Sequence, residues 1–92
     1  MSEEELIPID IYDFITVMAD QSVEIAWIKL GLRPDPMTGE FTKDVAQAKL
    51  AIDLVSHLAG LMEPKLDESD RRQLQNTVST LKLNFVQKSN EG

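Results

Sequence analysis

The run KDVAQAKLAIDLVSHLAGLM, residues 43–62, decides the fold. Placed at 100° per residue, its polar side chains Lys49, Asp53, Ser56 and His57 occupy one narrow wedge. Val45, Ala48, Leu50, Ala51, Ile52, Leu54, Val55, Leu58, Ala59, Leu61 and Met62 fill nearly all the rest, an apolar arc of roughly 220°. An ordinary surface helix carries a stripe of about 100°. The segment is therefore read as a central helix with more than one neighbour. Thr42 is its expected N-cap, with Asp44 in the first turn against the helix dipole.

Upstream stands LRPDPMTGEFT, residues 32–42. Asp35, Glu40 and Asp44 offer oxygens to a hard cation, but a calcium loop needs alternating acids and a closing glutamate. Pro36, Met37, Thr38 and Gly39 break that rhythm, and Gly39 is not followed by the Lys-Ser/Thr of a phosphate loop. A connector explains each residue instead: Pro34 stops the preceding helix, Asp35-Pro36 opens a turn, Gly39 supplies a positive φ and Thr42 caps.

The helix before it is expected from about Ile11 to Gly31, capped by Asp10. Ile11, Phe14, Ile15, Met18, Ser22, Ile25 and Leu32 share a face, with Asp13, Asp20 and Glu24 opposite as an acidic surface. Beyond residue 62, Pro64-Lys65-Leu66 makes a short link, Leu66 a staple residue, Asp67 a cap, and Leu74, Val78, Leu81 and Phe85 a stripe. The expected fold class is all-α: an up-down three-helix bundle with a long Pro/Gly connector between helices 1 and 2, self-associating. Residues 1–9 are read as an acidic disordered tail, 10–88 as one helical domain and 89–92 as a frayed end.

Ninety-two residues give one modest core, burying roughly 60–70% of the unfolded surface. The absence of cysteine removes disulfides, thiolate nucleophiles and cysteine metal sites. The whole net charge of −7 lies in residues 1–24, which hold seven acids and no base; the remainder balances nine against nine. A nucleic-acid binder shows the opposite sign. The longest uncharged run, Leu54–Met62, is far below the roughly 18 residues of a membrane span. The acidic start is unlike a signal peptide, and a cytoplasmic protein is expected.

His57 follows Asp53 by one helical turn, the spacing of an oriented general base. Ser56 points about 100° away from it, and no oxyanion loop accompanies the three, so no enzyme is expected. A helix-turn-helix reading would place Arg71, Arg72, Gln73, Gln75 and Asn76 on a recognition helix, without a further basic cluster to hold phosphates. No catalytic residue, cofactor or metal is assigned, and the small metal-dependent activity is the lesser alternative. The favoured partner is a second copy of the chain, with another protein as a further partner and no membrane or nucleic acid. Trp27 projects away from Phe14, Met18 and Ile25, so Val23, Trp27 and Leu30, with Leu83, are the expected interface. The other cover available to Trp27 is the connector, through Met37 and Phe41.

Several motifs in order resemble the bacterial domain-of-unknown-function family 1844. They are Phe14, Ala26, Leu30-Gly31, Pro34-Asp35-Pro36, Thr38-Gly39-Glu40, Asp44, Ala48-Lys49, Ile52-Asp53-Leu54, Leu81 and Phe85-Val86. The chain departs from the family at Leu61-Met62-Glu63-Pro64-Lys65, where a basic turn with threonine and glycine is the family's habit. The resemblance implies a small helical protein of unassigned activity and brings no catalytic residues with it.

Overall fold

The computed structural model describes residues 7–91. Among them are three α-helices and no strand: α1 (Ile11–Lys29), α2 (Val45–Met62) and α3 (Glu68–Asn90), with a 3-10 turn, Glu63–Lys65, joining the last two. Asp10 caps α1 by accepting from the Tyr12 N–H, and Asp67 caps α3 by accepting from the Asp70 N–H. α3 continues through Ser89 and Asn90, so the end expected to fray is helical to residue 90. The Lys43 Nζ holds it by donating to the Lys88 carbonyl at 3.1 Å.

α2 starts two residues later than its sequence suggested, and its cap is Asp44 rather than Thr42. The Asp44 carboxylate accepts from the Gln47 N–H at 3.1 Å, while its own N–H donates to the Lys29 carbonyl at 2.8 Å. That second bond pins the start of α2 to the end of α1, leaving Thr42 outside the helix. Asp44→Ala should therefore cost about 1 kcal/mol, the usual value of an N-cap, and Thr42→Ala a few tenths. Equal costs in urea melts would return the cap to Thr42.

Two clusters fix the topology. Ala26 and Leu30, late in α1, pack with Ala48, Ala51, Ile52 and Val55, early in α2, and with Leu81, late in α3. Ala19, early in α1, packs with Leu58 and Met62, late in α2, and Leu66 and Leu74 at the start of α3 join them. The helices thus run up, down and up. α2 is central, packing most heavily on α1 and less on α3, while α1 and α3 barely meet. The result is open rather than closed. Its radius of gyration is 15.7 Å, against about 12 Å for a compact chain of this length. Its least dimension is 18 Å, less than two full helix diameters.

The face that α1 turns inward also differs from the expected stripe. Ala19, Ser22, Ala26 and Leu30 are buried, whereas Ile11, Phe14, Ile25 and Leu32 are exposed. Small side chains let the α1 and α2 backbones approach closely, and that packing outweighs a stripe of larger but badly placed residues. The Ser22 hydroxyl, the one buried polar group of this seam, donates to the Met18 carbonyl at 2.7 Å.

Candidate interaction surface

Burying its small residues leaves Phe14 and Ile25 of α1 exposed and Met18 half-buried, while Ile28 is buried. Phe14, Met18, Gln21 and Ile25 follow one another at intervals of four, three and four residues, the spacing of a coiled-coil seam. On α2, Leu50, Leu54, His57 and Leu61 repeat that spacing. Ile25 shares a surface groove with Leu50, Ala51 and Leu54, so the two seams lie on one face. Phe14 is 58% exposed, Ile25 48%, Leu50 69%, Leu54 40% and Leu61 47%. Those five leave on the order of 500 Å² of apolar surface in water, near the upper end of what a monomer shows in one patch. None of the eight seam positions is Asp, Glu, Lys or Arg, in a chain where those types make 27% of residues.

From sequence, Phe14, Met18 and Ile25 fall on one apolar face of helix 1 and Leu50, Leu54 and Leu61 in the wide arc of helix 2, with His57 in the polar wedge and Gln21 unassigned. The apolar arc of α2 is shared by α1, α3 and this open face, and only the first two are filled within the chain. The missed signal is the paired seam spacing with a polar residue at the third position of each.

The interface residues expected from sequence are used differently. Leu30 is fully buried in the chain's own core, and Val23 and Trp27 pack half-buried against that cluster beside Val78 and Phe85. Trp27 is thus half-buried against the chain's own core cluster, to which α3 contributes Leu81; Met37 and Phe41 remain exposed. Leu83 is exposed on the outer side of α3, away from the two seams. Asp13, Asp20 and Glu24 are all exposed, and Glu24 is paired with Arg33 at the head of the connector.

Within residues 35–40 several polar groups bond to one another. Asp35 accepts from the Met37 N–H through its carboxylate at 2.8 Å and from the Gly39 N–H through its carbonyl at 2.7 Å. Its own N–H donates to the Glu40 carbonyl at 2.9 Å, closing the turn around Pro36. Gly39 has φ +74, the left-handed conformation its place in the turn requires. Pro34 and Thr42 flank this turn and are exposed. One Asp35 carboxylate oxygen and its carbonyl thus accept from backbone N–H groups. Among the described residues no three His, Asp or Glu side chains gather where a metal ion could be held.

Asp53 pairs with Lys49 at 2.9 Å, one turn back, rather than orienting His57. Ser56 faces a different direction, into a groove of about 440 Å³ between α2 and α3 that Gly60, Leu74, Val78 and Lys82 also line. The Ser56 hydroxyl and the Arg71 Nε are buried in that groove without a hydrogen-bond partner in the chain. The Arg71 Nη2 donates to the carbonyls of Glu63 and Leu66 at 3.2 and 3.0 Å. Leu66 is thereby held by Arg71 as well as by its apolar neighbours. Arg72 pairs with Glu68. Both arginines of the helix-turn-helix reading therefore tie their own helix start together instead of presenting a free basic edge.

The stretch Val45–Lys65 reaches a mean hydropathy of 1.2 over 18 residues, enough by length and composition to cross a membrane. Its buried residues serve α1 and α3, and Lys49 and Asp53 lie within it. The core position of α2 accounts for part of that composition; Leu50, Leu54 and Leu61 lie on its exposed side.

A central α2 flanked by α1 and α3, with no strand among the described residues, defines a small all-α protein. The chain belongs to the family described as domain of unknown function (DUF1844), whose model matches residues 8–87. No curated protein and no solved structure matches it.

Proposed function

We propose that the chain is a cytoplasmic protein–protein interaction module that associates with itself and carries no catalytic site. The observation that supports this reading is the uncharged, open face of the α1–α2 layer. A chain of this length has little stability to spare, and leaving five large apolar residues in water forgoes stabilisation that association would recover. Charge is depleted at the centres of protein interfaces, as it is on this face. The net charge of −7 is carried instead by the tail and the opposite side of α1, where it keeps the assembly soluble.

Light scattering coupled to size exclusion tests the reading. The expected result is a mass above that of one chain at micromolar concentration, falling towards one chain on dilution. A single-chain mass that persists at high micromolar concentration overturns it.

A further inference from the structure

We infer that the occupant of the open α1–α2 face is a second copy of this chain, docked so that the central polar layer of one copy meets that of the other. This rests on the self-association reading above and adds to it the face and the register.

Area and polarity both point to a second copy. A stable interface removes about 800 Å² from each partner, of which rather more than half is apolar. The on-the-order-of-500 Å² left in water by Phe14, Ile25, Leu50, Leu54 and Leu61 matches that requirement. A two-fold interface places the same patch on both sides, so it must tolerate itself. A face with no formal charge does so without like-charge repulsion, whereas the acidic side of α1, with Asp13 and Asp20, does not.

The seams also specify a register. Ile25 lies beside Leu50, Ala51 and Leu54, and Ala19 lies beside Leu58, so levels on the two antiparallel helices are matched along their length. On that scale Gln21 and His57 stand at almost the same height, near the middle of α1 and about two-thirds of the way along α2. Apolar residues lie on either side of each: Phe14, Met18 and Ile25 on α1, and Leu50, Leu54 and Leu61 on α2. A lone polar residue in such a seam costs stability and fixes register, because any slip buries it against an apolar partner. Gln21 has both donors and an acceptor, and an imidazole can supply the complement. Two copies face to face therefore bring a Gln21/His57 layer onto its counterpart, with leucines, Met18, Ile25 and Phe14 sealing it from water.

Charge insertion and cross-linking test this together. Leu50→Arg and Phe14→Arg alter the most exposed seam positions, so the fold tolerates them; helical circular dichroism confirms that in each case. Both are expected to weaken association at least a hundredfold in sedimentation equilibrium, while Leu83→Arg on the outer side of α3 leaves it unchanged. The chain has no cysteine, so Gln21→Cys and His57→Cys report without background. Alone or mixed, these should form disulfide-linked dimers well before Leu83→Cys does. If the wild type associates and the seam variants associate equally, this face is wrong while self-association stands. Association lost with Leu83→Arg moves the interface to α3. Failure of both seam cysteines to cross-link, with the arginine variants monomeric, overturns the register. A monomeric wild type that co-sediments with phosphatidylglycerol vesicles, and loses this with Leu50→Arg, makes the face a bilayer contact and overturns both readings.

Discussion

Leu81→Ala lowers the stability of the chain by about 3 kcal/mol in urea melts, and Leu83→Ala by less than about 0.5 kcal/mol. The two leucines are two residues apart on α3, of one type, and opposite in environment. Leu81 is 0% exposed and is the sole buried residue of its helix; Leu83 is 60% exposed. Removing the Leu81 side chain leaves a cavity where α3 meets Ala26, Leu30 and Val55, and no other fully buried residue on α3 anchors it there. Domains of this size are stable by roughly 5–10 kcal/mol, so the loss is a third or more of the total. At roughly 4–8 °C per kcal/mol, the melting point falls by at least about 10 °C. Both variants are compared at one chain concentration, since association adds to apparent stability. A cost below about 1 kcal/mol for Leu81→Ala, or equal costs for both, would show that α3 is held elsewhere.

That pair also measures how far the sequence could be read. The stripe Leu74, Val78, Leu81 and Phe85 was legible because α3 has few apolar residues and their period leaves one choice of face. The caps Asp10 and Asp67 were legible because side-chain capping is a local bond. Asp44 was not, because the choice between two cap candidates two residues apart was settled by a bond from its N–H to Lys29, fifteen residues away in sequence. The inward face of α1 failed for a related reason. Pattern weighs residues by hydrophobicity and so favours Phe14 and Ile25 over Ala19, Ser22 and Ala26. Packing weighs them by how closely two backbones can approach. The candidate surface followed the same error in part: Phe14, Met18 and Ile25 were assigned to the core, His57 was read only as part of a polar wedge, and Gln21 was passed over. The half-burial of Trp27 within the chain was not legible because helix wheels say nothing about where neighbouring elements lie.

The seam of small residues is where the fold and the proposed surface depend on one another. Ala26 and Ala48 are both 0% exposed and belong to the same cluster, so no space remains between α1 and α2 for a larger side chain. Ala26→Leu adds three carbons at the point where the helices meet. The substitution gains slightly in apolar burial but forces side chains off their rotamers or the helices apart, at a net cost of about 1–3 kcal/mol. Ala46→Leu, the same change at an exposed position of α2, should lie within about 0.5 kcal/mol of wild type. The consequence reaches past stability. Ile25 is the neighbour of Ala26, and it shares its groove with Leu50 and Leu54 across the same helix pair. Pushing α1 away from α2 widens that groove and puts the two seams out of step, so Ala26→Leu weakens self-association as well as folding. Leu50→Arg, which leaves the helix pair untouched, weakens self-association alone. Urea melts and sedimentation equilibrium on the three variants separate these effects. Neutral behaviour of Ala26→Leu in the melts would mean that α1 and α2 do not approach closely at Ala26, and the flat layer they form would lose its physical basis.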